Sequence, residues 1–343
     1  MNAPQRRRLR VPSGWGLPLV LGVPVIVLTV LAIGYYRYIH YTRVAVRHVP
    51  AGAYFATRID LEQVVLFEPF RKHLLPVLNR ARGGEGGAEG SPGRIARIEK
   101  ALGANLALDT REVVWAIGPE ASEWTLIIGG LFPRARVVAG LTQALSSDSQ
   151  LSVRSSGDGA SLEISPWQVF VGQADDGVVV VSSSDAQLRA SLPSSEAFLG
   201  LGLHQEGPGS FGFTRTVVPE EWRAAFAGVE SLSGSLGLGD VVTASVSLQM
   251  ASASGADELR AQATSLLTTA QAIAALQPGA SAFALREVLA RAQLSGAGVS
   301  GVGGSGASGD VAGRQVQFQT FWQLGEVDHI AEELGAALER RMQ

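Results

Sequence analysis

Few side chains in this chain stand at spacings that could do chemistry. The run Gly296-Ala297-Gly298-Val299-Ser300-Gly301 has the form G-x-G-x-x-G, and Gly301–Gly306 repeats it. In a dinucleotide site such glycines let a pyrophosphate approach the backbone between a strand and the helix that follows it. Here a helical pattern precedes the run and glycines recur through residues 295–313, so overlapping matches follow from composition alone. No G-x-x-x-x-G-K-[ST] and no G-x-S-x-G occurs, so neither a phosphate-cradling loop nor a nucleophile elbow is visible. The absence of cysteine removes thiol catalysis, thiolate metal sites, disulfides and a lipid-anchored cysteine.

Histidine offers little more. His40 and His48 fall in a basic, aromatic segment, leaving His73, His204 and His329 for a catalytic set. His329 and Glu333 share a helix face at i, i+4 beside Asp328, which is half of a metal site. The same spacing describes a solvated, ion-paired helix face, and no H-E-x-x-H accompanies it. The acid pairs Asp175/Asp176, Glu220/Glu221 and Glu332/Glu333 are adjacent in sequence. Neighbours on a strand point to opposite faces and neighbours on a helix diverge by about 100°, so none is placed as a joint acid and base. Trp115, Trp124, Trp167, Trp222 and Trp322 could line a ligand groove, or pack in a core beside their strand partners. The sequence therefore assigns no catalytic, cofactor-binding or metal-binding residue, and no cofactor.

The elements that position these groups begin with an uncharged run. Val11 to Tyr36 carries no charge, and Trp15–Tyr36 supplies the roughly 20 apolar residues that cross a bilayer as a helix. Trp15 at one end and Tyr35, Tyr36 and Tyr38 at the other suit the two interfaces. A cleaved signal peptide would have a shorter apolar core and a small-x-small cleavage site, which the following YYRYIHYTR does not supply. The expectation is a basic tail over 1–14, a single transmembrane helix over 15–36 and a juxtamembrane stalk over 37–49. Residues 1–59 hold eight arginines and no acid. Arginines precede the span and also follow it, and the positive-inside rule favours a cytoplasmic N-terminus in the inner membrane with a periplasmic body.

That body, from residue 60 onward, has 20 basic against 31 acidic side chains, a formal charge of −11. An acidic body excludes nucleic acid as the expected partner, because phosphate binding needs a basic face. The 343 residues are 46% hydrophobic and 17% charged, enough for a substantial core. A strand is expected over Ala53–Asp60, then short helices interrupted by Pro69 and Pro76. A glycine-rich loop over 83–93 leads to a helix over Arg94–Leu102 that Gly103 ends. Val113, Trp115 and Ile117 alternate in one run and Trp124, Leu126 and Ile128 in the next, a hairpin turning at Gly118–Ser122. After Pro133 an apolar stripe marks a helix containing Val137, Val138, Leu141 and Leu145. Further strands and a helix over Asp185–Leu192 complete a first unit, 50–205.

A second unit, 206–343, has a related order. Val242, Ala244, Val246, Leu248 and Met250 alternate with Thr243, Ser245, Ser247 and Gln249, which describes a sheet with one wet face. Helices are expected over Ala256–Leu276, with Ser254 as N-cap, over Ser281–Gln293 and over Glu326–Arg340. The last would bury Val327, Ile330, Ala331, Leu334, Ala337 and Leu338. The fold class is α+β: an N-terminal transmembrane helix followed by two tandem antiparallel-sheet-plus-helix units.

With its anchor, the strand near VPAGAYFATRID and the phrase ALGANLALDTREVVWAIG ahead of EWTLIIGGLF, the chain resembles a bacterial family of unknown function. Its members are single-pass membrane-anchored envelope proteins with tandem α+β units. The resemblance covers residues 49–340, implies a membrane-tethered envelope protein and transfers no catalytic residue. The leading expectation is a non-catalytic interaction or scaffold protein whose partners are other envelope proteins. A module for an apolar or lipidic ligand, held between sheet and helices, and a hydrolase with an unfamiliar histidine-based site remain as alternatives.

Overall fold

The computed structural model describes residues 41–77, 94–120, 122–146, 151–155, 161–215, 218, 220, 227–276, 289–296 and 313–342. The expected tail and transmembrane helix, the loop over 83–93, Gly301–Gly306, Trp222 and most of the helix over 281–293 lie outside them. Among the described residues no helix is long and apolar enough to cross a membrane.

Among the described residues the architecture is α+β around one antiparallel sheet of twelve strands. Strand β1 (Phe55–Asp60) and the short helix α1 (Leu61–Leu66) are followed by β2 (Thr110–Ile117), β3 (Trp124–Gly130), β4 (Ser152–Ser155), β5 (Ser161–Ser165), β6 (Val169–Gln173) and β7 (Val179–Ser182). Then come β8 (Gly209–Thr214), β9 (Val229–Gly237), β10 (Val241–Met250), β11 (Gln293–Gly296) and β12 (Gln315–Gln323). Their order across the sheet is β11-β12-β10-β9-β8-β1-β2-β3-β7-β6-β5-β4. The strands expected of two units thus occupy the two halves of a single sheet. The join is β1, which pairs with β2 on one side and β8 on the other. An interior strand must satisfy backbone groups along both edges, and here the second edge is met by a strand some 150 residues further on.

In the first half both faces are covered. One bears Val114, Ala116, Ile127 and Val180, all fully buried beneath a 3₁₀ turn (Ala45–His48), α5 (Asp185–Ser191) and α6 (Ala197–Gly200). The other bears Val171 and Val179 with the half-buried Leu126 and Ile128, under α2 (Arg94–Leu102) and α4 (Val137–Leu145). On β2 the alternating set Val113, Trp115 and Ile117 is the less buried one, and Glu112, Val114 and Ala116 are buried. Val114 and Ala116 are as apolar as the residues beside them, so periodicity does not say which face of β2 is deeper.

Three local expectations shift. Of residues 45–49, expected in the stalk, all but Arg47 are core: Ala45 and Val46 are fully buried, Val49 and His48 nearly so. Their valines and alanine bury better than they would at a headgroup surface, and the arginine just before them is paired by Asp60. The N-cap of α7 (Ala253–Leu276) is Ser252, whose hydroxyl accepts the Gly255 N–H at 3.1 Å, rather than Ser254. On α8 (Leu324–Met342), Ile330, Leu334 and Leu338 are 39%, 50% and 37% exposed, and Ala331 and Gly335 face inward. A Cβ on Gly335 would stand 2.8 Å from the His73 carbonyl oxygen, so the small side of α8 is what permits contact with the π-helical turn Phe70–Leu74.

The second half keeps the expected alternation of residue types, while residues 243–249 of β10 are half-buried on both faces. Leu248, Leu232 and Val316 align on one face, and Ser247, Ser233 and Gln317 on the other. The start of α7 covers the apolar face through Ala256 and Leu259. Further along, Leu266 is 69% exposed.

Candidate functional site

Between the sheet and its α2–α4 roof lies a cavity of about 460 Å³. Its floor comes from alternate residues of five strands, among them Val113, Leu126, Ile128, Val171 and Val181. Ile98 and Leu102 of α2, and Leu141 and Leu145 of α4, form the roof. Antiparallel pairing places these floor residues on one face, and a helical period of three to four places the roof pairs on one stripe.

The roof is held in place by small and polar devices. Gly140 sits against α2, where a Cβ would approach the Ala101 carbonyl oxygen to 2.6 Å, so the two helices touch there. Gln173, at the end of β6, clamps the start of α4. Its Nε2 donates to the carbonyls of Pro133 (3.1 Å) and Gly177 (3.2 Å), and its Oε1 accepts the Val137 N–H at 3.3 Å. One side chain thereby ties the roof helix to the β6–β7 turn and satisfies a helix-start donor.

The cavity's electrostatics are those of hydrocarbon. Among its described lining side chains only Thr110 and the Trp167 indole can hydrogen-bond, and none is charged. Such a surface binds apolar groups by removing them from water, at about 25 cal/mol per Å² of area buried.

The charged groups of the body cluster elsewhere. Arg58, Asp60 and Glu112 are at most 1% exposed on the opposite face. Arg58 Nε donates to Glu112, Arg43 Nε donates to Asp60, and Arg58 Nη2 lies 3.6 Å from Asp60. Glu112 Oε2 also accepts the Ala45 N–H at 3.1 Å. Two guanidiniums and two carboxylates make a neutral group that locks residues 43–45 to the middle of the sheet. His48 is a second lock. Its Nδ1–H donates to the Ser191 carbonyl at 2.8 Å and its Nε2–H to Asp176 at 2.9 Å. Both partners are acceptors, so both bonds together require the imidazolium. Burial opposes that charge, yet the bonds to Asp176 and Ser191 outweigh it and raise the His48 pKa. Burial likewise works against the Asp176 carboxylate, and the His48 bond and charge prevail to lower its pKa.

The histidines named from the sequence do not assemble a catalytic set. His73 Nε2 pairs with Asp328 at 2.9 Å, and Asp328 also takes Lys72 at 2.9 Å. The Asp328 pKa is lowered by the Lys72 bond first, with the His73 bond adding to it against desolvation. His329 stands 3.5 Å from Glu333 and 3.9 Å from Glu332 on the surface of α8. His204 engages Ser210 through its backbone. Among the described residues no histidine joins a serine hydroxyl to a carboxylate, and no three His, Asp or Glu converge on a metal position. Of the acid pairs only Asp176 acquires a buried partner, and Glu221 lies outside the described residues. Of the tryptophans Trp167 lines the cavity, and Trp115 meets Phe55 edge-on, centroids 6.4 Å apart.

An apolar site between sheet and helices stands among the sequence expectations only as an alternative without lining residues, and the His48 lock was missed. A signal for each is present: apolar residues on both faces of β5–β7 beneath two apolar helix stripes, and a histidine flanked by Val46 and Val49.

No family model matches this chain, and no curated protein does. Weak structural neighbours include crystal form III of TP0453, with a TM-score of 0.43 and 10% identity, covering 84% of this chain and 97% of that one. Crystal form I of the same protein gives 0.39 at 10% identity, covering 86% and 98%. Likeness at this level carries no functional argument.

Proposed function

We propose that this protein is a membrane-tethered, non-catalytic module that binds an apolar ligand between its sheet and the α2–α4 roof. The observation that carries the reading is the cavity of about 460 Å³ with an uncharged, almost wholly hydrocarbon lining. That volume lies within the range of small-molecule sites, and a void lined this way costs stability unless something apolar fills it. The tether is the uncharged run Trp15–Tyr36, and the arginines ahead of it favour a body in the periplasm. The resemblance to single-pass envelope proteins agrees with that placement.

The test uses the full chain held in amphipol and the fluorophore N-phenyl-1-naphthylamine. Saturable enhancement is expected for the natural chain, with affinity falling at least about tenfold in Leu141→Trp and in Ile128→Phe, which fill the void. Unchanged circular dichroism shows that the filled variants keep their sheet. Equal binding by natural and filled chains overturns the reading, as does non-saturable binding.

A second reading, docking of another envelope protein, is favoured by a different observation. On the cavity side of the sheet centre, Ile59 and Trp115 are 43% and 44% exposed. Leu236 joins them across Gly209, which pairs with both Ile59 and Leu236. Exposed apolar residues that are contiguous mark interaction surfaces. Crosslinking from Trp115→Cys, in a chain free of other cysteines, tests for such a partner directly.

A further inference from the structure

The shape of the cavity narrows the class of ligand. One end is at Thr110, where β2 begins, and the other at Trp167, in the hairpin between β5 and β6. The sheet order β2-β3-β7-β6-β5 sets these ends four strand spacings apart, about 19 Å. Antiparallel pairing also sets them at opposite strand ends: Thr110 pairs with Gly130 and Ile128 with Val179, while Ile164 and Val169 pair at the far end. The cavity therefore runs diagonally across the floor. A volume of 460 Å³ drawn out along that diagonal suits an elongated apolar group better than a compact one.

The two ends differ. Trp167 is 60% exposed, whereas every other lining side chain is buried or half-buried. At the Thr110 end the lining includes the half-buried Leu106 of α3 (Leu106–Asp109) and Phe132, which is 7% exposed. An ionised or polyhydroxylated head could find few hydrogen bonds inside, and burying such a group unpaired is strongly unfavourable. The polar part must remain outside, at the open end.

Resting on the apolar-ligand reading, we propose that the cavity holds the single hydrocarbon chain of an amphiphile such as a fatty acid or a monoacyl lipid. The methyl end lies toward Thr110 and the head stays in water beside Trp167. Selection is then by chain length, and the head contributes little.

The experiment uses the full chain in amphipol and palmitic acid bearing a diazirine either next to the carboxyl or at the chain end. Adducts are mapped by mass spectrometry. The head-side probe is expected to label residues 165–169, and the tail-end probe the segment from Leu106 to Val113. Unlabelled acids from eight to sixteen carbons should compete with affinities rising about fourfold per methylene until the cavity is full. The acid and the alcohol of one length should agree within about threefold, because no lining group pairs with a charge. Reversed or coincident labelling, a flat length dependence, or a preference above about tenfold for one head overturns the proposal while leaving an apolar site in place. If neither probe labels the cavity, the apolar-ligand reading itself fails.

Discussion

Glu112→Gln is the substitution that most directly tests how the sheet centre is held. The natural group balances Arg43 and Arg58 against Asp60 and Glu112, with Arg58 and Glu112 both fully buried. Glutamine keeps the shape and can still accept the Ala45 N–H, but it leaves two guanidiniums to share Asp60. Arg58 keeps its bond to the Gly207 carbonyl at 2.9 Å, and its Nη2 is 3.6 Å from Asp60, beyond a hydrogen bond. Removing one partner of a buried pair costs about 3–5 kcal/mol, against a total stability of roughly 5–15 kcal/mol. The folding equilibrium should drop at least about a hundredfold. Arg58→Met should cost a similar amount, since it strands Glu112. The double variant Arg58→Met/Glu112→Leu removes both charges, keeps the Arg43–Asp60 pair, takes the Arg58 donor from the Gly207 carbonyl and leaves the Ala45 N–H without its Glu112 acceptor. That orphan donor costs about 1–3 kcal/mol, so the double variant should be more stable than either single one. The assay is urea unfolding of the full chain in amphipol, followed by tryptophan fluorescence, with Trp115 on the affected strand. Single substitutions costing under about 1 kcal/mol, or a double equal to the sum of the singles, would refute the reasoning.

The His48 lock has a defined pH signature. Its raised pKa adds stability that is complete below the ordinary value of 6.5 and is lost as pH rises through the folded value. The lowered pKa of Asp176 adds stability that is complete above 3.8 and is lost as pH falls through its folded value. The stability difference between the natural chain and His48→Gln should therefore peak between those limits and shrink above neutrality. A difference that does not vary with pH in thermal melts would show that the imidazole is uncharged in the fold. Gly140→Val should force α2 away from α4 and destabilise the body by about 1–3 kcal/mol, with weakened fluorophore binding. Melting temperature and fluorophore affinity both unchanged would show that the roof helices do not need their contact.

Much of the element order was legible in the sequence, and the candidate site was not. The period-2 run from Val242 to Met250 forms a strand with its polar and apolar residues on opposite faces, as the alternation of types implies, although Thr243 to Gln249 are half-buried on both. The hairpin of β2 and β3 and the αL glycine after α2 were equally readable, since turns and caps depend on a few neighbours in the chain. Burial depth was less so. Ile330, Leu334 and Leu338 form a proper helical stripe, yet α8 turns Ala331 and Gly335 inward, because the backbone at His73 comes too close for a larger residue.

What the sequence by itself determined is the local alphabet of this protein: its strands, helices and turns, the uncharged N-terminal run, and the lack of a familiar catalytic motif. Tertiary structure alone decided that β8 would close the free edge of β1 and make two expected units one sheet. It also decided that Arg58 would meet Glu112 across 54 residues and His48 meet Asp176 across 128. The cavity belongs to the same class. Its lining residues are the apolar residues that any core would use, and the empty volume is what remains where the α2–α4 roof and five strands fail to interlock completely. Periodicity records which residues avoid water, whereas a void depends on how two finished surfaces fit, and that is set only when they pack.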